Sequence, residues 1–186
     1  MPTPARRRPR RRAVALAGCA AALVTTAACG LDDREQDAAD ALALALVADG
    51  AGELEQDTAR CTAERWVGEV GADVLVGEGL LDDGLEARRA RLAAVLAGRR
   101  ALGDEAAEGY AAAAYSCLDF DRLSLLTDEA YPEASAEQRD EYADCLKEVP
   151  AVVWRRALAD RVGGDPASPA GETVRRAQQE CSEELV

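Results

Sequence analysis

Residues 135–147 read SAEQRDEYADCLK, and this stretch decides the fold. Ser135 stands three residues before Gln138, the spacing of a capping box, in which the two side chains each satisfy the other's backbone N–H at a helix start. No glycine or proline follows until Pro150, so the helix is expected to run to Lys147 with Cys145 in its last turns. An earlier stretch has the same order. Glu55-Gln56 is followed by Cys61 and then Trp66, as Glu137-Gln138 is followed by Cys145 and then Trp154.

Working outward, each of these stretches follows a leucine-rich segment and an acidic turn, and each is followed by an Ala/Glu-rich helix that bears a second cysteine, Cys117 in one half and Cys181 in the other. Repetition of this kind marks a duplicated supersecondary unit. The halves are unequal, because the first carries an insertion of about twenty residues around an arginine-rich segment. Alanine dominates the chain and β-branched runs are short, which favours helix over strand. The expected fold is all-α: a disulfide-stapled helical bundle built from two unequal pseudo-repeats, about 36–118 and 119–186, within one domain over 36–186.

Individual helices are expected over 37–49, 53–67 and 72–76. Leu85, Leu92 and Leu96 share a helical face, with Arg88, Arg89 and Arg91 off it, so an amphipathic helix is expected over 85–96. Another is expected over 105–118, and Asp119 or Asp121 could cap one through Leu126. Pro150 suits the first turn of the segment with Trp154, and the last helix is expected over 171–184.

Ahead of this body lies a leader. Six arginines fall between Arg6 and Arg12, an apolar run follows from Ala13 to Ala28, and the run closes on small residues before Cys29. This is the charge, apolar and small-residue order of a secretory signal peptide. Closing the order on Thr26-Ala27-Ala28-Cys29 resembles the lipobox of bacterial lipoproteins. Leu16-Ala17-Gly18-Cys19 also fits the box letters, but it leaves an apolar core of only six residues, Ala13 to Gly18, where a signal needs about 7 to 15. The resemblance implies that Cys29 is lipidated with a diacylglycerol, that residues 1–28 are removed, and that the new amino terminus is acylated in turn with a palmitate-type chain. Residues 29–35 are then a short tether, and the protein sits on the outer face of the cell membrane. An ordinary signal peptide with an incidental thiol at Cys29 is the alternative. Arg11-Arg12 leaves general secretion and twin-arginine export both open.

Without the six leader arginines, the chain from residue 29 holds 16 of its 22 basic residues against 35 acids, a net charge of −19. Nucleic acid is excluded on that balance, because phosphates would be repelled. A polybasic hold on anionic lipid is excluded too, leaving acyl chains at Cys29 as the expected membrane contact.

Four cysteines remain: Cys61, Cys117, Cys145 and Cys181, 56, 28 and 36 residues apart. An even number in an exported chain reads as two disulfides. Zinc is not expected, since there is no histidine and no close cysteine pair. Duplication favours pairing within units, Cys61 with Cys117 and Cys145 with Cys181, since each unit must once have folded alone. Pairing across units, such as Cys61 with Cys145, stays open on sequence.

The Ala-Arg-Cys and Ala-Asp-Cys segments at Cys61 and Cys145, Trp66-Val67 with Val70-Gly71, Cys117-Leu118-Asp119 and the terminal cysteine resemble small secreted or lipid-anchored helical proteins of actinobacteria. The resemblance implies a helical framework and no catalytic residue.

No chemistry-bearing motif stands out. Asp82-Asp83-Gly84 and Asp119-Phe120-Asp121 resemble fragments of calcium loops but lack the alternating ligands and distal glutamate. Turn and cap roles suit them better. Ser116 has no histidine to activate it, and Lys147 sits on an acidic helix. Arg88, Arg89, Arg91, Arg99 and Arg100 form one basic island, which could hold a phosphate or an acidic partner or simply pair with nearby acids. Trp66 and Trp154 read as core. No catalytic residue, cofactor or metal is expected. The reading is a cell-envelope lipoprotein with a binding or structural role, toward an unspecified protein or small molecule. A carboxylate-dependent extracytoplasmic hydrolase and a cation-binding module are the alternatives.

Overall fold

The computed structural model describes residues 30–49, 56–118 and 133–185. Cys29, the leader and Asp119-Phe120-Asp121 with the helix read after them lie outside the described residues. Among the described residues every regular element is helical, and the fold class expected from sequence is the one observed.

Helix α1 (Asp33–Asp49) begins four residues earlier than expected. The reason is a second capping box. Asp32 Oδ1 accepts from the N–H of Glu35 at 2.8 Å, and Glu35 Oε2 accepts from the N–H of Asp32 at 3.1 Å. Leu31 already packs against the core, so the folded unit, Leu31–Val186, takes up most of the span read as a tether. Helix α2 (Gln56–Val70) ends three residues later than expected and stops at Gly71, whose φ of 80° suits a residue without a β-carbon. Helix α3 (Ala72–Gly77) follows at once and is tied to α1 by the Arg34–Asp73 bridge, 2.6 Å. That hydrogen bond, and the guanidinium charge behind it, hold the Asp73 carboxyl below the ordinary carboxylate range.

The helix expected over 85–96 is shorter than expected. Helix α4 covers Arg89–Leu96 only. Asp82 Oδ1 accepts from the N–H groups of Gly84 and Glu86 at 2.9 and 3.0 Å, and Leu85 is forced to a φ of 64°. A short polar side chain that satisfies neighbouring backbone donors competes with helix. Asp82-Asp83-Gly84 is therefore a turn, closed by a single antiparallel bridge between Leu81 and Ala87.

Helix α5 (Asp104–Cys117) packs on α2. Helix α6 (Ala136–Lys147) opens on the expected box: Ser135 Oγ accepts from Gln138 N–H at 3.2 Å, and Gln138 Oε1 accepts from Ser135 N–H at 2.9 Å. Helix α7 (Ala151–Val162) follows Pro150, and α8 (Pro169–Cys181) follows Ser168, whose hydroxyl accepts from Gly171 N–H at 3.1 Å. A 3-10 turn, Ser182–Leu185, finishes what was read as a longer last helix.

The helices form a row in which α1 packs on α2, α2 on α5, α5 on α7 and α7 on α8. Leu102 N–H donates to Val162 O at 2.9 Å, joining the start of α5 to the end of α7. Two apolar cores result. The larger is built from α1 to α5 around Leu42, Leu46, Trp66, Leu75 and Leu92, with Val162 reaching in from α7. The smaller holds Leu146, Trp154, Ala157, Val174 and Cys181.

Each core has its own staple. Cys61 is bonded to Cys117 and Cys145 to Cys181, with Cα atoms 5.8 Å apart in both pairs. This is the pairing within units. The two tryptophans, by contrast, do not occupy matching places. Trp66 lies in the same helix as Cys61 and donates its indole N–H to Ala106 O on α5 at 3.0 Å, with Tyr110 packed edge-on at 4.9 Å. Trp154 lies one helix beyond Cys145, past Pro150, and donates to Leu146 O at 3.4 Å. Both are buried core residues.

Candidate functional site

Three helices meet along a groove of about 550 Å³. The last turn of α2 contributes Glu69 and Val70. Helix α5 supplies Glu105 and Glu108, with Gly109, Ala111 and Ala112 between them and α7. Helix α7 supplies Val152, Arg155 and Arg156. The local sequence explains the shape: small residues on the central helix leave a low floor, while long charged side chains on its neighbours make the walls. Gly109 lets α2 approach, since a β-carbon there would collide with Val70.

Charge is divided across this groove. Three exposed carboxylates come from α2 and α5, and two exposed guanidiniums from α7. Arg156 is held on its own helix by Asp160, 2.8 Å away. Arg155 makes no ion pair or hydrogen bond with a described residue, and no bond between described residues links the two walls. Val152, 66% exposed, lies beside the arginines. Such a surface can hold a partner that carries both signs of charge. It is poorly suited to carboxylate catalysis, which sets one acid in an apolar, water-poor setting and its partner in a polar one; Glu69, Glu105 and Glu108 all stand in solvent.

The residues singled out in the sequence are dispersed. Ser116 donates to Ala113 O at 2.9 Å, beside the disulfide of Cys117. Lys147 pairs with Asp144 at 2.9 Å. Within the basic island Arg91 is a staple: its Nε donates to Glu78 O at 3.3 Å and its Nη2 to Ala101 O at 3.1 Å, fixing α4 against the loops on either side. Arg88, Arg89, Arg99 and Arg100 are exposed and line neither this groove nor the cavity between α7 and α8. Among the described residues no three Asp, Glu, Cys or His side chains converge as metal ligands would, and no helix is long and apolar enough to cross a membrane.

The helix after Pro150 was expected from sequence, but its charge was not read. Residues 154–161, WRRALADR, place three arginines on one helix of an acidic chain, and that local reversal of charge was the available signal. Arg161 Nε donates to Leu96 O at 3.0 Å, joining α7 to the end of α4. Its charge also reaches Tyr110. Burial raises the Tyr110 phenol above its ordinary value of 10.0, and Arg161 pulls weakly the other way.

Comparison with protein-family models, with curated proteins and with solved structures finds no match for this chain.

Proposed function

We propose that this chain is a lipid-anchored protein of the outer face of the cell membrane, held by acyl chains on Cys29, whose folded unit has a non-catalytic binding role. The observation that carries this reading is where the packed unit begins. All of the described core and both disulfides lie within Leu31–Val186, directly after a leader with the order of a lipoprotein signal. Two disulfides fit an oxidising compartment. The resemblance of the cysteine segments to small secreted or lipid-anchored actinobacterial proteins points the same way. A net charge of −19 beyond the leader keeps such a unit off anionic headgroups and soluble above them. The groove, with its exposed charges of both signs, favours binding over hydrolysis.

Fractionation tests the anchor. Wild-type protein is expected in the membrane fraction, where acyl chains contribute about 0.8 kcal/mol per buried methylene. Cys29→Ser is expected in the aqueous fraction, and a clickable palmitate analogue fed to the cells is expected to label wild type alone. Recovery of unlabelled wild type wholly in the soluble fraction defeats the reading.

A further inference from the structure

A second cavity, of about 320 Å³, opens where α7 and α8 meet the end of α4. We propose that it binds a small organic anion with an apolar body, such as a medium-chain carboxylate. The inference deepens the binding role but does not depend on the anchor.

The floor is apolar. Trp154 and Val174 are 7% and 8% exposed, with Leu158 beside them. The rim is cationic and donor-rich: Arg161, Arg175 and Gln178. No aspartate or glutamate lines the cavity, although the chain holds 35 of them. An apolar lining with a few placed polar groups is the usual make-up of a small-molecule site, and the volume falls within the common range of about 300–1,000 Å³.

The rim donors are positioned, and those of Arg161 and Gln178 are still open. Arg161 uses Nε on Leu96 O at 3.0 Å, which fixes the guanidinium, while its two Nη groups make no hydrogen bond with a described residue. Arg175 uses Nη2 on Pro166 O at 3.2 Å and Nη1 on the Glu172 carboxylate. The side-chain amide of Gln178 likewise has no partner among the described residues. An arginine fork whose inner nitrogen is spent on backbone presents its outer edge to a carboxylate, the geometry that gives paired charge-assisted hydrogen bonds. A cation would face the guanidinium of Arg161, which has no ion pair with a described residue, beside that of Arg175, which Glu172 already meets. An anion without an apolar body would leave the indole and valine floor unused, so both halves of the ligand are specified.

The test uses the oxidised chain Leu31–Val186, the compact unit that contains both cores and both disulfides; Cys29 is absent, so failure of the anchor and failure of this inference are separate results. Octanoate is titrated by calorimetry and by proton–nitrogen correlation spectra, with octylammonium and acetate as controls. Saturable binding of octanoate is expected, moving the indole N–H signal of Trp154 and leaving that of the core residue Trp66 in place. Octylammonium is not expected to bind, and acetate is expected to bind far more weakly. Arg161→Gln should weaken octanoate roughly tenfold or more through loss of hydrogen bonds to a charged group. Because Arg161 also ties α7 to α4, Leu158→Glu is the second variant: it keeps that tie, sets a carboxylate into the cavity and should abolish binding. No binding of octanoate, equal binding of octylammonium or acetate, or wild-type affinity in both variants overturns the inference.

Discussion

A β-carbon added at Gly109 would lie 2.3 Å from Cγ1 of Val70, so α5 and α2 approach as closely as a glycine permits. Alanine is the better helix former by about 1 kcal/mol, but overpacking a stiff β-branched neighbour costs about 1–3 kcal/mol. Gly109→Ala should therefore destabilise the oxidised unit by up to about 2 kcal/mol in urea denaturation. Gly68 supplies the contrast. Its added carbon meets only the end of the Leu31 side chain at 3.3 Å, which can give way, and Gly68→Ala should be neutral or stabilising by up to about 1 kcal/mol. Equal destabilisation by both would show that helix contact is not what selects glycine at 109.

The disulfides close loops of 56 and 36 residues. On the chain-entropy account each contributes about 4 kcal/mol. The two losses should differ in reach. Cys181 is itself part of the small second core, so Cys145→Ser/Cys181→Ser should free α8 and α6 from hydrogen-exchange protection while α1, α2 and α5 keep theirs. Cys61→Ser/Cys117→Ser should lower the stability of the whole unit. Uniform loss of protection in both variants would contradict a two-core arrangement.

Tyr110 sets a limit at high pH. Burial raises its folded-state value above 10.0, so the folded state holds the proton longer than the unfolded chain does. The stability tied to this group is complete below the unfolded value and is lost as pH rises through the folded one. Stability should fall above about pH 10, and Tyr110→Phe should flatten that fall. Absorbance at the phenolate band, followed with pH, should show a late step in wild type that the variant lacks.

Both reciprocal helix starts are open to the same substitution. Ser135→Ala and Asp32→Ala each remove a side-chain acceptor from a capping box, and each should cost about 1 kcal/mol. The effect should stay local, seen as faster amide exchange at Gln138 in one and at Glu35 in the other.

Much of this fold was legible because helix starts and cysteine order are local facts. Ser135 and Gln138 announced α6 correctly. Asp32 and Glu35 carry the same spacing but lie ahead of the span 37–49 expected as helix. The error at 85–96 has a different cause. Leu85, Leu92 and Leu96 have a helical period, but period reports which residues could share a face. It does not report that Asp82 reaches the donors of Gly84 and Glu86 first. Neither cavity could be read at all. Glu69 and Arg155 become neighbours of one groove only through α5 between them, and Leu96 meets Arg161 across 65 residues. Such juxtapositions belong to packing, not to any window of sequence.

Alanine supplies much of both cores, as at Ala38, Ala59, Ala63, Ala106 and Ala157, and each buried methyl adds little area to the hydrophobic drive. Two cross-links together worth about 8 kcal/mol are then comparable with the whole net stability of a typical domain, about 5–15 kcal/mol. Much of the stability margin of this chain therefore depends on oxidation. Reducing Cys61, Cys117, Cys145 and Cys181 removes that contribution, and withdrawing electrons from the four thiols restores it. The staples act as a clock as well as a brace: they set the moment, and the side of a redox boundary, at which the molecule gains its full margin.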